Sequence, residues 1–340
     1  MDKKRIVLLL VKYQTTTPAL LDGVIEIVKS YPQVELVEVT HPEYPEFATI
    51  TNKDDITAAI SSNLFISIDR VMAECKNLKW FHILGAGCDK HVAYEPFRKS
   101  SITLTASRGC SAIALSEFTI GAMIYWSRKF RAWDELQKQS KWGTIAATDI
   151  SKKRITVVGY GSIGSKIGRI CKNSFEMTVV GVKNRVEESI YKEHPEVEKF
   201  YRLSELGDAC DGADFVVCVL PGTKETEDVF TLDVFKRFKK TTVFISIGRG
   251  SNVVEEDLIE ALKKGYIGGA VLDVFKTEPL PKTSPFYTEA DIQDKILITC
   301  HRGGNSESIM EDFFNICRSN LEAFIEGRPL DRIVDKEIGY

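Results

Sequence analysis

Three polar side chains in the second half of the chain each follow an apolar run. Arg249 lies between Gly248 and Gly250 after Phe244-Ile245-Ser246-Ile247, Glu278 precedes Pro279 in LDVFKTEP, and His301 follows ITC and precedes Arg302-Gly303-Gly304. A guanidinium can hold a carboxylate, an imidazole can deliver a proton near neutral pH, and a carboxylate beside the imidazole keeps it protonated. Taken singly, each has an ordinary reading: a surface turn residue, a loop or helix-start carboxylate, and a partly buried histidine with its bonds satisfied.

The stretch that gives the three a common purpose is ITVVGYGSIGSKIGRICKNSFEMTVVGVKNR, residues 155–185. A β-branched run leads into Gly159-Tyr160-Gly161-Ser162-Ile163-Gly164, followed by a helix-like segment and a second apolar run ending at Val182. Gly159 would allow a tight strand-to-helix turn, Gly161 would let the backbone approach a pyrophosphate, and Gly164 would let helix and strand pack closely. The helix start would aim its free N–H groups and positive dipole end at the phosphates. Where a carboxylate would grip the ribose 2′-hydroxyl of NAD, the chain has Lys183, Asn184 and Arg185. Basic residues attract a 2′-phosphate, so the pattern points to NADP(H) in preference to NAD(H); the ordinary alternative is a solvated loop. Beside a nicotinamide, Arg249, His301 and Glu278 would suit hydride reduction of a 2-keto acid as carboxylate holder, proton donor and imidazolium support.

These residues need a scaffold larger than one core usually serves: 340 residues imply two domains. The chain is 44% hydrophobic and 27% charged with net charge −3, a balance that recruits neither nucleic acid nor an anionic membrane. MDKKR followed by Ile6–Val11 imitates a signal peptide, but the apolar run stops at Lys12 and reads better as a buried first strand. Nothing approaches the roughly 20 apolar residues of a membrane span. The eight cysteines include no CxxC pair and read as reduced buried thiols of a cytoplasmic protein, and the five histidines are too dispersed to suggest a metal site.

Strands are expected at 6–11, 34–39, 64–68, 80–84 and 101–105, with helices around 17–30, 54–60 and 70–76; such alternation implies a largely parallel sheet. The loop Gly85-Ala86-Gly87 follows the fourth run, where open α/β sheets place ligands, and its small residues leave amides accessible to an anion. From Ser111 to Gln139 one long helix is expected, with Ser111 or Ser116 and Thr119 as rival starts. Its aromatic and basic part, Trp126 to Trp142, is the best candidate for a subunit contact; the alternative is packing on its own domain. Later strands are expected at 214–220, 242–247, 268–274 and 296–299, helices at 231–238 and 255–264, and a final helix from 306 to 325 stopped by Gly327 and Pro329.

The stretches LGAGCDKH, ALSEFTIGAMI, ITVVGYGSIG, VLPGTKET, ISIGRGSNVVEEDLIEAL, AVLDVFKTEP and ITCHRGGNSES, in this order, give the chain a resemblance to the D-isomer-specific 2-hydroxyacid dehydrogenase family. The resemblance implies two α/β domains, Rossmann-like or flavodoxin-like, each a doubly wound parallel sheet. It implies a coenzyme domain, residues 111–302, inserted into a substrate domain made of 1–110 and 303–340, with hinges near 107–116 and 302–306. It places the catalytic set on Arg249, Glu278 and His301. Coenzyme contacts would fall on Gly159, Gly161, Ser162, Ile163, Gly164, Lys183, Asn184, Arg185, Leu220, Pro221, Ile247, Gly248, Asp273 and Gly303, and substrate carboxylate contacts on Gly85, Ala86 and Gly87. A homodimer acting on small 2-keto or 2-hydroxy acids is the expected state. Cys300 and Arg302 depart from the proline and the small residue usual beside the histidine. Two other readings share much of the pattern: an NAD-dependent 3-phosphoglycerate-type dehydrogenase, which would carry a carboxylate at 183, and a corepressor-like protein that senses the dinucleotide without turnover.

Overall fold

The apolar run that opens the chain becomes a central strand, β1 (Ile6–Lys12), in the computed structural model of the protein, which describes residues 6–12, 18–40, 50–62 and 68–339. The chain divides into two compact units, Met1–Cys110 with Ser306–Tyr340, and Ser111–Asn305.

In the first unit, β1 is joined by β2 (Val34–Thr40), β3 (Ile56–Ser61), β4 (Trp80–Ile83) and β5 (Thr103–Ala106). All pair in parallel, in the order β2-β1-β3-β4-β5. Alternate residues of β1 serve opposite faces, which is why the whole strand is apolar. Leu8 and Leu10 pack on the helix Pro18–Lys29, through Leu20, Val24, Ile27 and Val28, and on Cys317 and Leu321 of the final helix Ser308–Glu326. Leu9 and Val11 join Val71, Phe81 and Phe97 on the other face. The final helix ends at Gly327, whose φ of +71° favours a residue without a Cβ. Val334 then runs back along the sheet, its amide donating to the Leu104 carbonyl.

The second unit contains β6 (Arg154–Val158), β7 (Thr178–Val182), β8 (Val197–Tyr201), β9 (Phe215–Cys218), β10 (Val243–Ser246), β11 (Gly269–Leu272) and β12 (Ile296–Ile298). They form one parallel sheet in the order β12-β11-β10-β9-β6-β7-β8. The order reverses at β6, so the crevice at the carboxyl ends of β6 and β9 is the topological switch point at which doubly wound sheets bind ligands. Val158, Val216, Phe244 and Leu272 fill one face, and Val157, Val217, Ile245 and Val271 the other.

Several local expectations need correction. Residues 54–60 do not form a helix: a short 3-10 turn, Lys53–Asp55, leads into β3. Helical periodicity pointed to a helix here, but a strand buried on both faces shows no alternation that would mark it as a strand. Of the strand expected at 64–68, residues 64–67 lie outside the described residues, while Ile68 opens the helix Ile68–Glu74. The single helix from 111 to 139 is two, Ala112–Ser127 and Phe130–Lys138, because Lys129 takes the left-handed conformation with φ 58°. Ser111 is at the start of the first helix; Ser116 and Thr119 bond back to the Ile113 and Leu115 carbonyls within it. Strand β8 was not anticipated, since VEKFY is an edge strand with exposed Glu198 and Lys199. Left-handed backbone costs a side chain with a branched Cβ more than glycine. Lys129→Val should therefore be less stable than Lys129→Gly by about 1 kcal/mol in urea melts.

Candidate functional site

At the end of β6, Gly159 turns the chain with φ +102°, and a Cβ there would lie 2.7 Å from the Val219 carbonyl oxygen. Gly164 packs so closely on the Gly159 carbonyl that a methyl group would overlap it. Around Gly161, by contrast, a Cβ would meet nothing within 4 Å. That open position sits at the start of the helix Ser162–Phe175, whose first-turn amides, those of Ser162, Ile163 and Gly164 among them, have no intrahelical acceptors. The three glycines thus serve three different needs: a turn, an approach and a close packing.

Beyond β7, the Lys183 amide donates to the Tyr201 carbonyl at 3.0 Å, which fixes where the following residues leave the sheet. Asn184 and Arg185 are exposed, and Asn184 Nδ2 donates to Glu225 Oε2 at 3.3 Å. Among the described residues neither Lys183 nor Arg185 forms an ion pair, so both cations are available to an anion. An open Gly161, unpaired helix-start amides and two uncommitted cations fit a dinucleotide carrying an additional phosphate.

The ends of β9 and β10 meet at glycine. A Cβ on Gly248 would lie 2.5 Å from the Leu220 carbonyl oxygen, and one on Gly250 would overlap the backbone of Phe275. Arg249, between them, is half-buried, and its guanidinium donates to the Gly248 carbonyl at 2.9 Å. Its backbone is held by Asn252, a residue not anticipated from sequence. Fully buried Asn252 accepts from the Arg249 amide at 3.0 Å and donates to the Pro221 and Thr226 carbonyls, each at 3.0 Å. The clue was available: an asparagine three residues after the arginine can close a turn on the backbone. Ile247 and Leu220 are buried beside this turn.

His301 is organised by Asp273, which is 1% exposed at the end of β11. One oxygen, Oδ1, accepts from Thr299 Oγ1 at 2.7 Å, the Arg302 amide at 2.8 Å and the Gly303 amide at 3.0 Å. The Asp273 carbonyl also accepts from the His301 amide at 2.8 Å. These four bonds hold His301 at φ 53°, a conformation few non-glycine residues adopt. Gly303 and Asp273, expected as coenzyme contacts, therefore have a structural task in the histidine turn.

His301 Nδ1 lies 2.7 Å from Glu278 Oε2, and the Phe275 amide donates to Glu278 Oε1 at 2.9 Å. Burial works to raise the Glu278 carboxyl, but its hydrogen bonds from His301 and Phe275, with the charges of His301 and Arg249, outweigh it and hold the group below its usual value. Nδ1 is committed to the carboxylate, so Nε2 is the ring nitrogen free to act as an acid, on a side chain that is 41% exposed. Cys300 and Arg302 on either side are exposed. The second unit thus brings Arg249, Glu278 and His301 to the carboxyl edge of the sheet that bears the glycine turn. Gly85, Ala86 and Gly87 lie in the first unit, after β4, where the Gly85 carbonyl accepts from the Ser107 amide at 2.9 Å.

A switch-point glycine turn with an arginine, a glutamate and a histidine along the same sheet edge defines an oxidoreductase of the dinucleotide-binding class. Residues 120–303 match the family model for the D-isomer specific 2-hydroxyacid dehydrogenase NAD-binding domain, and the chain belongs to that family. It is 26% identical over 275 residues to a glyoxylate/hydroxypyruvate reductase A from Photorhabdus laumondii, an overlap of 79% of this chain and 84% of that one. A crystal structure of a D-isomer specific 2-hydroxyacid dehydrogenase family protein from Aeromonas salmonicida superposes with TM-score 0.80 at 27% identity, covering 98% and 99% of the two chains. The fold is also that of an NADPH-dependent glyoxylate/hydroxypyruvate reductase from Sinorhizobium meliloti in complex with NADP and sulfate, with TM-score 0.79 at 24% identity, covering 98% of this chain and 100% of that one.

Because folding favours the ionised form of Glu278, its contribution to stability is complete above the ordinary carboxyl pKa of 4.5 and is lost as pH falls through the lower folded value. Glu278→Gln should shrink the fall in urea midpoint between pH 6 and pH 3.

Proposed function

We propose that this protein reduces short 2-keto acids, such as glyoxylate or hydroxypyruvate, to D-2-hydroxy acids with NADPH. The observation that carries this reading is the His301–Glu278 pair, 2.7 Å apart, with Arg249 close enough to bias the same carboxylate. When bound, the reduced nicotinamide supplies a hydride to C2 of the keto acid. His301 Nε2 gives its proton to the C2 oxygen as negative charge develops there, and Glu278 stabilises the imidazolium before that transfer. In the second unit Arg249, and in the first the amides of the Gly85–Gly87 loop, are the groups proposed for the substrate carboxylate. The first unit is accordingly the substrate domain and the second the coenzyme domain. Family membership supports the D configuration of the product.

NADP(H) is preferred, with NAD(H) a weaker alternative. Lys183 and Arg185, free of ion pairs where an acidic residue would select NAD, support this preference, as does the likeness in fold to the NADP-bound reductase. Gly159, Gly161, Ser162, Ile163 and Gly164 would carry the pyrophosphate, with Asn184, Leu220, Pro221, Ile247, Gly248, Asp273 and Gly303 lining the rest of the coenzyme's path. The protein is further proposed to be a cytoplasmic homodimer. Seven of its eight cysteines are buried free thiols, and burial alone pushes Cys171 up to about 12, which suits a reducing compartment. Phe130, Trp133 and Trp142 are exposed along the stretch suited to a subunit contact, Trp142 fully so.

A panel of keto acids followed by loss of NADPH absorbance tests the activity. His301→Ala should lower kcat on the best substrate by about 10²- to 10⁴-fold with NADPH affinity retained. Wild-type protein that binds NADPH but turns over no keto acid would point instead to a dinucleotide sensor. Replacing Lys183 and Arg185 together by serine should weaken NADPH binding about tenfold or more while leaving NADH binding within about threefold. Light scattering should give twice the chain mass of 38.2 kDa, and serine at both 133 and 142 should shift the protein toward monomer.

A further inference from the structure

The floor beneath the Gly85–Gly87 loop is polar where a core is normally apolar. Trp80, His82, Thr105 and Ser107 are all fully buried; Trp80 opens β4, His82 and Thr105 lie within β4 and β5, and Ser107 follows β5. The parallel register sets His82 directly opposite Thr105. Trp80 Nε1 donates to Thr105 Oγ1 at 2.8 Å, and His82 Nδ1 lies 2.8 Å from the same oxygen. An indole N–H can only donate. The Thr105 oxygen therefore receives it, and since His82 Nδ1 is the hydroxyl's one other partner among the described residues, the hydroxyl's own proton goes there. That leaves the histidine proton on Nε2, which faces Ser107 Oγ at 3.4 Å. Burial pushes His82 down to about 3, so the ring is neutral and this order of donors holds at working pH.

The far end of the chain of bonds is the residue that grips the loop. The Ser107 amide donates to the Ile83 carbonyl at 3.1 Å and the Gly85 carbonyl at 2.9 Å, and the Ser107 carbonyl accepts from the Cys110 thiol at 2.7 Å. Burying four polar side chains is costly unless each is bonded, and once bonded they admit one geometry. We propose that His82 and Ser107 are positioning residues: through the Trp80–Thr105–His82–Ser107 relay they fix the Gly85–Gly87 loop, and hence set how tightly the substrate carboxylate is bound. This rests on the reading that the loop amides take that carboxylate.

The test combines kinetics with hydrogen exchange on the full-length protein. Ser107→Ala and His82→Leu should speed amide exchange at residues 85–87 and raise KM for the keto acid about fivefold or more, the effect of one weakened hydrogen bond, with kcat within about twofold and NADPH affinity unchanged. His82→Gln should restore both readouts, because its carbonyl can accept from Thr105 while its amide donates to Ser107. Wild-type exchange at 85–87 in Ser107→Ala would overturn the proposal, as would a loss shared equally by kcat and NADPH binding. If the loop loosens in both variants but KM does not move, the loop is positioned as inferred and its assignment to the carboxylate is wrong.

Discussion

The candidate site at the sheet edge of the second unit depends on one buried carboxylate oxygen. Asp273 Oδ1 accepts three hydrogen bonds from the four-residue span Thr299 to Arg302 and its neighbour Gly303, and no apolar residue at the end of β11 could do the same. Its effect is to hold His301 in left-handed backbone, a state that the rest of the turn has to over-determine. In that state the ring meets Glu278, which is itself anchored by the Phe275 amide, two residues beyond Asp273. His301, Glu278 and Asp273 are thus tied to neighbouring strands, β11 and β12, whose parallel pairing sets their spacing.

The arginine is held by different means. Gly248 and Gly250 let the backbones after β9, β10 and β11 approach more closely than any side chain permits, and Asn252 closes the resulting gap with three backbone hydrogen bonds. In a parallel sheet every strand ends at the same edge, so loops that need glycine for close approach and polar side chains for anchoring gather there. The same edge carries Gly159 and Gly164 for contact and Gly161 for space.

Histidine is used in two opposite ways. His301 is partly exposed against a carboxylate, whereas His82 and His91 are buried and held neutral, pushed down by burial to about 3 and about 4. His82 is bonded on both ring nitrogens, while His91 packs against Phe81 with neither nitrogen hydrogen-bonded among the described residues. The contrast separates an imidazole that faces solvent beside a carboxylate from one enclosed in a core.

By itself the sequence was enough to locate the glycine turn, the strands of the second half other than β8, the final helix and its stop, and the arginine, glutamate and histidine that follow apolar runs. These are local signals: apolar period, glycine spacing and residues that follow a strand. Tertiary structure decided what has no local signature. ITAAIS became a strand because both its faces are covered, and VEKFY became one because it closes a sheet edge. One helix became two at a left-handed lysine. Asn252 and Ser107, unremarkable in sequence, gained their tasks from carbonyls 31 and 22 positions away, since a hydrogen bond depends on distance in space and the chain brings such partners together only when the sheet forms.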